Sequence, residues 1–490
     1  DVWPQILSSV ISLSSVIQVG INMAYSGVLI PQLAKDPNIK EFTKDQASWI
    51  ASLGVISSPI GAFFVGPLMD NIGRKKTGII TNIPLVVGWI MIYFTKQSLW
   101  PIYIARIIAG LSAGLATVSM VYTAEISHVQ FRPILLSLIS VNVAFGILIA
   151  TILGVYVEWH MAAIIYESLA LISFISSFFI PESPYWLANF TDASTKRIKS
   201  QVEYLNRTKW LFDEEWAVIQ GLVDERKKGV NQEESTSNAL GFIRNFYEKS
   251  SYLPLLLLVI LFFLQQTSGT YVVIFYTVNI FKSIGGDFGM GFDEYNATTT
   301  LGVLRFIMSL ISAVLSKKVG RRILLIISSL GMALSAIATG ICLKLNNIST
   351  IPFESGNSTS LLMQFKNATV IGENGVNPDI SIDSWWILIS VLFFVCAGAL
   401  GQMVVPWAMV SELLPTEVRG SGSGLVVAYS SIFLFFVIKT FPFITDFLTL
   451  PFVFILYSVM SIFAIIFTYF YLPETFGKNF AEIAKYFENS

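Results

Sequence analysis

The sequence predicts an all-α membrane protein with twelve transmembrane helices in two pseudo-symmetric six-helix halves. Three observations lead there. Of 490 residues, 54% are hydrophobic and 13% are charged, against about 25% charged in soluble domains. The apolar runs reach the roughly 20 residues a helix needs to cross about 30 Å of hydrocarbon and lack the strand alternation of a barrel. Short cation-rich loops punctuate those runs, and one of them, Gly66 to Lys76, is echoed in the second half by Ser316 to Arg322.

In order, the predicted spans are Leu7 to Ile30, Ala47 to Met69, Gly78 to Phe94, Leu99 to Thr123, Ile134 to Val157 and Met161 to Ile180. After a polar stretch, Asn189 to Lys249, come Leu253 to Phe281, Thr298 to Leu315, Ile323 to Leu343, Trp385 to Val410, Ser423 to Ile438 and Leu448 to Tyr471. This divides the chain into a half at 1–188, a linker at 189–250, a half at 251–472 and a tail at 473–490. The first apolar run lacks a basic n-region and is too long for an h-region, so no cleavable signal peptide is expected. Cys342 and Cys396 both fall in predicted helices, which argues against a disulfide framework.

Twelve spans put Arg74, Lys75, Lys76, Arg132, Lys317, Lys318, Arg321, Arg322 and Arg419 on one side. The positive-inside rule makes that side cytoplasmic, with both termini. The long loop 344–383 is then outside and carries glycosylation sequons at Asn347, Asn357 and Asn367; Asn296 heads another in a predicted outer loop. A multi-pass protein of the plasma membrane is expected.

The repeat extends beyond one loop. Glu125 precedes Arg132 by the same interval as Glu412 precedes Arg419, and Pro-Glu pairs end the sixth and twelfth spans at Glu182 and Glu474. Halves so related meet at a central site and rock about it. A channel can also be duplicated, but no filter sequence is present. Nothing in the chain suggests a nucleic-acid surface, a metal cluster or a nucleophile and base pair, so neither an enzyme nor a cofactor is expected.

These residues carry a resemblance. Gly66 to Lys76, Arg106 to Gly110, Glu125 to Arg132, Pro181 to Pro184, Gln265 to Gly269, Gly320 to Arg322, Pro406-Trp407, Glu412 to Gly420 and Pro473 to Thr475 together resemble the sugar porters of the major facilitator superfamily. Within it, the chain resembles facilitative glucose transporters and insect trehalose transporters. The resemblance implies a monomeric carrier of a small solute, a sugar such as a hexose or disaccharide. It implies that Asp70, Arg74, Glu125, Arg132, Glu182, Arg321, Arg322, Glu412, Arg419 and Glu474 hold the cytoplasmic side shut while the outer side is open. Gln265 and Gln266 are then expected to line the substrate site, Tyr276 to act as an outer lid and Trp407 to be a ring platform and inner gate.

The chain departs from that pattern. Pro133 stands where the family usually has Gly, and Tyr185 where Arg is usual. Tyr271 and Arg305 replace amides of typical glucose porters, while Ser140 and Ser430 fall near a family Gln and Asn. The amide-rich hexose site is thus largely missing, and Tyr271 and Arg305 join the candidate substrate contacts. Counting fifteen residues back from Gly320 puts Arg305 roughly 22 Å up its helix at 1.5 Å per residue. A charge at that depth needs a partner or water, and Glu167 is one partner expected for it. The first span, where the resembled proton symporters carry an Asp, has no acid, which favours facilitation. The alternatives are a same-fold carrier of an organic anion or other polar metabolite, a proton-coupled sugar symporter, and a non-transporting sugar sensor.

Overall fold

The computed structural model describes residues 2–37, 39, 43–230, 248–284, 294–316, 318–346, 348, 380–415, 418–478 and 480–488. Twelve helices among them are long and apolar enough to cross a membrane. Large apolar side chains such as Phe64, Leu334 and Phe463 stay exposed on their outer surfaces, as lipid requires and water would not tolerate.

The first half comprises Trp3–Lys35, Lys44–Ile72, Arg74–Tyr93, the paired segments Trp100–Leu115 and Thr117–Ile126, Arg132–Tyr156, and Trp159–Ser176. The second begins with a span in three pieces, Lys249–Thr267, Thr270–Phe275 and Thr277–Ile284. Glu294–Leu315, Arg321–Leu345, the paired Ile380–Leu400 and Val405–Leu413, Arg419–Leu448 and Leu450–Phe470 complete it. The fourth and tenth spans, expected to be continuous, are therefore broken, and the seventh is broken as its glycine suggests. In the seventh the break falls at Gly269, whose φ of 82° is in the left-handed region that a side chain disfavours.

Within the first half, span one packs on span five and span two on span four; spans seven on eleven and eight on ten repeat the pattern. The halves meet along two seams related by the same pseudo-symmetry, span two against span eleven and span five against span eight. The polar stretch after span six folds into short helices, Pro184–Phe190, Thr195–Leu205 and Lys209–Val230. They share an apolar cluster that includes Leu187, Ile198, Val202 and Ile219. Helix Phe480–Glu488 returns to the bundle at the same end, where Ile483 and Phe487 pack with Leu258 and Leu413.

Asn296, expected in a loop, lies exposed in the first turn of helix Glu294–Leu315. Asn347, Asn357 and Asn367 lie outside the described residues.

Toward the end of the first half away from the termini, Trp89 is held between two rings. Its centroid lies 5.1 Å from that of Tyr25 and 4.9 Å from that of Tyr166. Its indole N–H donates to Gln18 Oε1 at 2.8 Å, and Gln18 Nε2 donates to the Tyr166 carbonyl. Spans one, three and six are tied together in this way. Trp89→Ala should lower stability by about 3–5 kcal/mol, read as a drop in Tm of the detergent-purified protein. An unchanged Tm would show that the cluster is not a stabilising core.

Candidate functional site

At the end of the bundle that carries both termini, two arginines each open a helix. Arg74 starts span three, and its guanidinium reaches Glu125 Oε1 at 3.0 Å and Asp70 Oδ1 at 3.2 Å. Arg321 starts span nine, and its Nη2 reaches Glu412 Oε1 at 2.7 Å. Both arginine side chains are fully buried. The remaining oxygens are also matched: Ser183 Oγ donates to Glu125 and Thr475 Oγ1 to Glu412.

Glu182 and Glu474 do something different from pairing with side chains. Glu182 accepts from the backbone N–H groups of Arg74 and Lys75, at 3.0 and 3.1 Å. Glu474 accepts from those of Arg321 and Arg322, at 2.9 and 3.2 Å. Each carboxylate thus caps the N-terminus of a span, where unsatisfied N–H groups and the helix dipole favour negative charge. Gly73 and Gly320 make room: a Cβ there would stand 2.4 Å from Glu182 and 2.2 Å from Glu474. Burial pushes the Glu182 carboxyl above its ordinary range, opposed by those backbone donors and by Arg74.

The equal Glu-to-Arg spacing has a different outcome from the one its repetition suggests. Glu125 and Glu412 are taken by Arg74 and Arg321. Arg132 donates to the Ser127 carbonyl, and Arg419 to that of Leu414, each five residues back. Tyr185, in place of a cation, donates to Glu215 of the linker helices at 2.7 Å, and Trp186 donates to the Asp70 carbonyl. Arg322 donates through its side chain to the Tyr469 carbonyl.

This end is closed across the two halves. Arg321 extends to the Pro133 carbonyl at 3.3 Å and to Ser137 Oγ at 3.4 Å; Ser316 bonds both as well. On the other seam, a Cβ on Gly66 would stand 2.5 Å from Ser421 Cα, and Ser421 Oγ lies 3.5 Å from Asp70.

Beyond this seal lies a cavity of about 150 Å³ at mid-span, shared by both halves. Its polar lining includes Asn22, Ser58, Arg106, Ser140, Arg305 and Ser430, with Tyr271, Phe275 and Trp407 as aromatic walls. Trp407 Nε1 donates to the Tyr271 hydroxyl at 2.9 Å.

A family model described as "Sugar (and other) transporter" matches residues 7–487. The chain belongs to that transporter family. It is 29% identical to the facilitated trehalose transporter Tret1 of Polypedilum vanderplanki, over 99% of this chain and 88% of that one. It is also 29% identical to Tret1 of Anopheles gambiae, but spans only 56% of that protein's length. Among solved structures it is similar to the proton:xylose symporter XylE bound to 6-bromo-6-deoxy-D-glucose, with a TM-score of 0.76, 20% identity and 99% of each chain covered. The fold is that of the major facilitator superfamily. As a member of this transporter family the chain is a multi-pass membrane protein, not an enzyme, and it moves a small solute by alternating access.

Within the transporter, the expected cavity residues divide. Tyr271, Arg305 and Trp407 line the cavity. Gln265 and Gln266, expected there, are fully buried and turned into helix contacts: one donates to the Gln402 carbonyl, the other to Ser430 Oγ. Tyr276 donates to the Ile438 carbonyl and packs on Phe441, so it fastens span seven to span eleven rather than facing the cavity. Arg305 makes no ion pair with Glu167; Glu167 Oε2 and the Nε and Nη1 of Arg305 have no hydrogen-bond partner. Asn22, Ser58 and Phe275 were missed. Asn22 had a signal, as an amide within an apolar run; Ser58 and Phe275 had none, because both residue types are common in any span.

Removing one partner of a buried pair leaves an uncompensated charge, a loss of about 3–5 kcal/mol. Arg321→Gln should therefore loosen the sealed end. In a chain with Cys342 and Cys396 replaced by Ser, a cysteine at Ser140 should react faster with a membrane-impermeant maleimide applied from the side of the termini. Gly66→Val, which wedges the other seam, should act in the same direction. Equal labelling in both variants and the parent would mean that the network does not hold this end shut.

Proposed function

We propose that this protein is a facilitative carrier, a uniporter, for a sugar such as a hexose or disaccharide. It works as a monomer in the plasma membrane with both termini cytoplasmic. The observation that carries the reading is the central cavity, which pairs the Trp407 and Tyr271 rings with hydroxyl and amide groups from both halves. A sugar needs that combination, an aromatic face for its C–H surface and groups that donate and accept for its hydroxyls. The whole-length similarity to relatives described as facilitated trehalose transporters supports it.

The carrier's bodies are residues 1–188 and 251–472, joined by 189–250 and followed by the tail 473–490. The gate is the charged network of Asp70, Arg74, Glu125, Glu182, Arg321, Glu412 and Glu474, steadied by Arg132, Arg322 and Arg419. Substrate contacts are Tyr271, Trp407 and Arg305. Gln265 and Gln266 hold the cavity wall from behind through Gln402 and Ser430, and Tyr276 anchors the helix that carries Tyr271.

Uniport is favoured over proton symport by the groups around Arg106. Its nitrogens meet the Ile50 and Asn22 carbonyls, Asn22 Oδ1 and Ser26 Oγ. All are neutral, and no carboxylate is among the described residues lining the cavity. Among the described residues that line the cavity, none is then an acid that could take up a proton.

Purified protein in proteoliposomes should equilibrate labelled trehalose or glucose without concentrating it under a proton gradient, and counterflow should persist when the gradient is collapsed. Accumulation driven by protons would overturn uniport. Asn22→Asp should introduce a pH dependence of uptake that the parent lacks. Trp407→Ala should lower kcat/KM by a contact worth about 1–3 kcal/mol, tenfold for each 1.4 kcal/mol, at normal membrane expression. Parental kinetics in that variant would remove the ring platform from the reading.

A further inference from the structure

The cavity wall carries two guanidinium groups, and they are not equivalent. Arg106 has a polar partner for each of its nitrogens, at 3.0 Å to the Ile50 carbonyl, 3.0 Å to the Asn22 carbonyl and 3.2 Å to Ser26 Oγ. Those dipoles solvate it and hold it against the wall. Arg305 is 1% exposed, yet its Nε and Nη1 have no hydrogen-bond partner. It lines the cavity, within electrostatic reach of the Tyr271 phenol. The oxygen of that phenol accepts from Trp407, which leaves its own O–H to donate elsewhere.

Desolvated charges persist when they are paired and their donors are satisfied. Here two of the guanidinium nitrogens are left unpaired at the wall of the space where cargo sits. Among the described lining residues there is no Asp or Glu to close it, and Glu167 does not. A neutral sugar could accept hydrogen bonds from the fork but would leave its charge uncompensated. A planar carboxylate can accept two parallel N–H bonds from a guanidinium and neutralise it, while Trp407 receives the ring face.

We propose that the preferred cargo is a sugar acid, a polyhydroxylated ring bearing one carboxylate, with the carboxylate seated on Arg305 and the ring on Trp407. This deepens the sugar-carrier reading and rests on it. Two consequences follow from charge alone. The acid should compete better than the neutral sugar of the same shape, and its uniport moves one negative charge per turnover, so uptake must follow the membrane potential.

The test uses the full chain in proteoliposomes with labelled D-glucuronate and D-glucose as probes, the potential being set by potassium gradients and valinomycin. Glucuronate is expected to enter faster than glucose and to respond several-fold to an inside-positive potential, with glucose uptake indifferent to it. Arg305→Gln should lower the ratio of glucuronate to glucose uptake at least tenfold. Arg305→Lys keeps the charge and should keep the response to potential, so the test stands even if the Gln variant does not fold. Glucose uptake with glucuronate neither carried nor competing would overturn the sugar acid and leave the sugar carrier intact. An unchanged ratio in Arg305→Gln would overturn the role of Arg305. Uptake of neither probe would overturn the sugar acid, and if labelled trehalose is not carried either, the sugar carrier falls with it.

Discussion

Spans three and nine begin in the same way, and the architecture depends on it. An arginine occupies the first helical position, and a carboxylate from beyond the end of another span accepts the first backbone N–H groups. A second carboxylate, from the span between them, pairs with the guanidinium. Arg74 with Glu182 and Glu125, and Arg321 with Glu474 and Glu412, thus each bind three elements at one point. Buried ion pairs add little net stability, because desolvation offsets their attraction, but they penalise every arrangement that separates them. At the edge of a membrane that penalty depends on access of water. A dry closed end keeps the pairs strong, and a wet open end replaces them with hydration.

The same elements link the seal to the cavity. Helix Val405–Leu413 carries Trp407 at one end and Glu412 near the other. The backbone just before it, at 401–404, leaves the helical path, so this segment can shift without dragging all of span ten. Its neighbour, span seven, is likewise interrupted at Gly269. The fourth span is divided at Ala116 between its Arg106 and Glu125 portions. Each break lies beside the cavity, which Thr117, Tyr271 and Met403 help to line. Continuous helices would transmit every motion over their whole length. Arg321 adds a second connection, since it bonds its own half through Glu412 and the other through Pro133 and Ser137.

The departures noted in the sequence acquire physical meaning in this setting. The Pro133 carbonyl accepts from Arg321 and Ser316 across the seam, as well as from Ser137 of its own helix. Tyr185 gives up a cation but ties two of the short helices after span six together through Glu215. Ser140 and Ser430, shorter than the amides they replace, both line the cavity. Of the two glutamines of span seven, Gln266 now meets Ser430. The polar lining of the cavity combines hydroxyls, the Asn22 amide and the guanidinium groups of Arg106 and Arg305.

The number of spans, their pairing into halves and the charged end were legible from the chain alone. Hydrophobic length and cation-rich turns are local properties that lipid reads directly, and a repeated loop announces a repeated half. The candidate gate residues could be named for the same reason, since an acid or a base at a span end is expensive unless it has a task. Their partners could not be named. Glu125 and Arg132 are related by spacing, but Arg74, fifty-one residues away, holds the carboxylate, because the start of span three projects over it. The cavity was less legible still. Gln265 and Tyr271 sit one break apart on span seven, and only the left-handed turn at Gly269 decides that the tyrosine lines the cavity while the glutamine meets a backbone carbonyl. An all-apolar helix carries no stripe to fix its rotation. Sequence therefore determined what lies in the membrane and where charge stands along it. Tertiary packing decided which way each buried polar group turns, since that depends on the neighbours that can satisfy it.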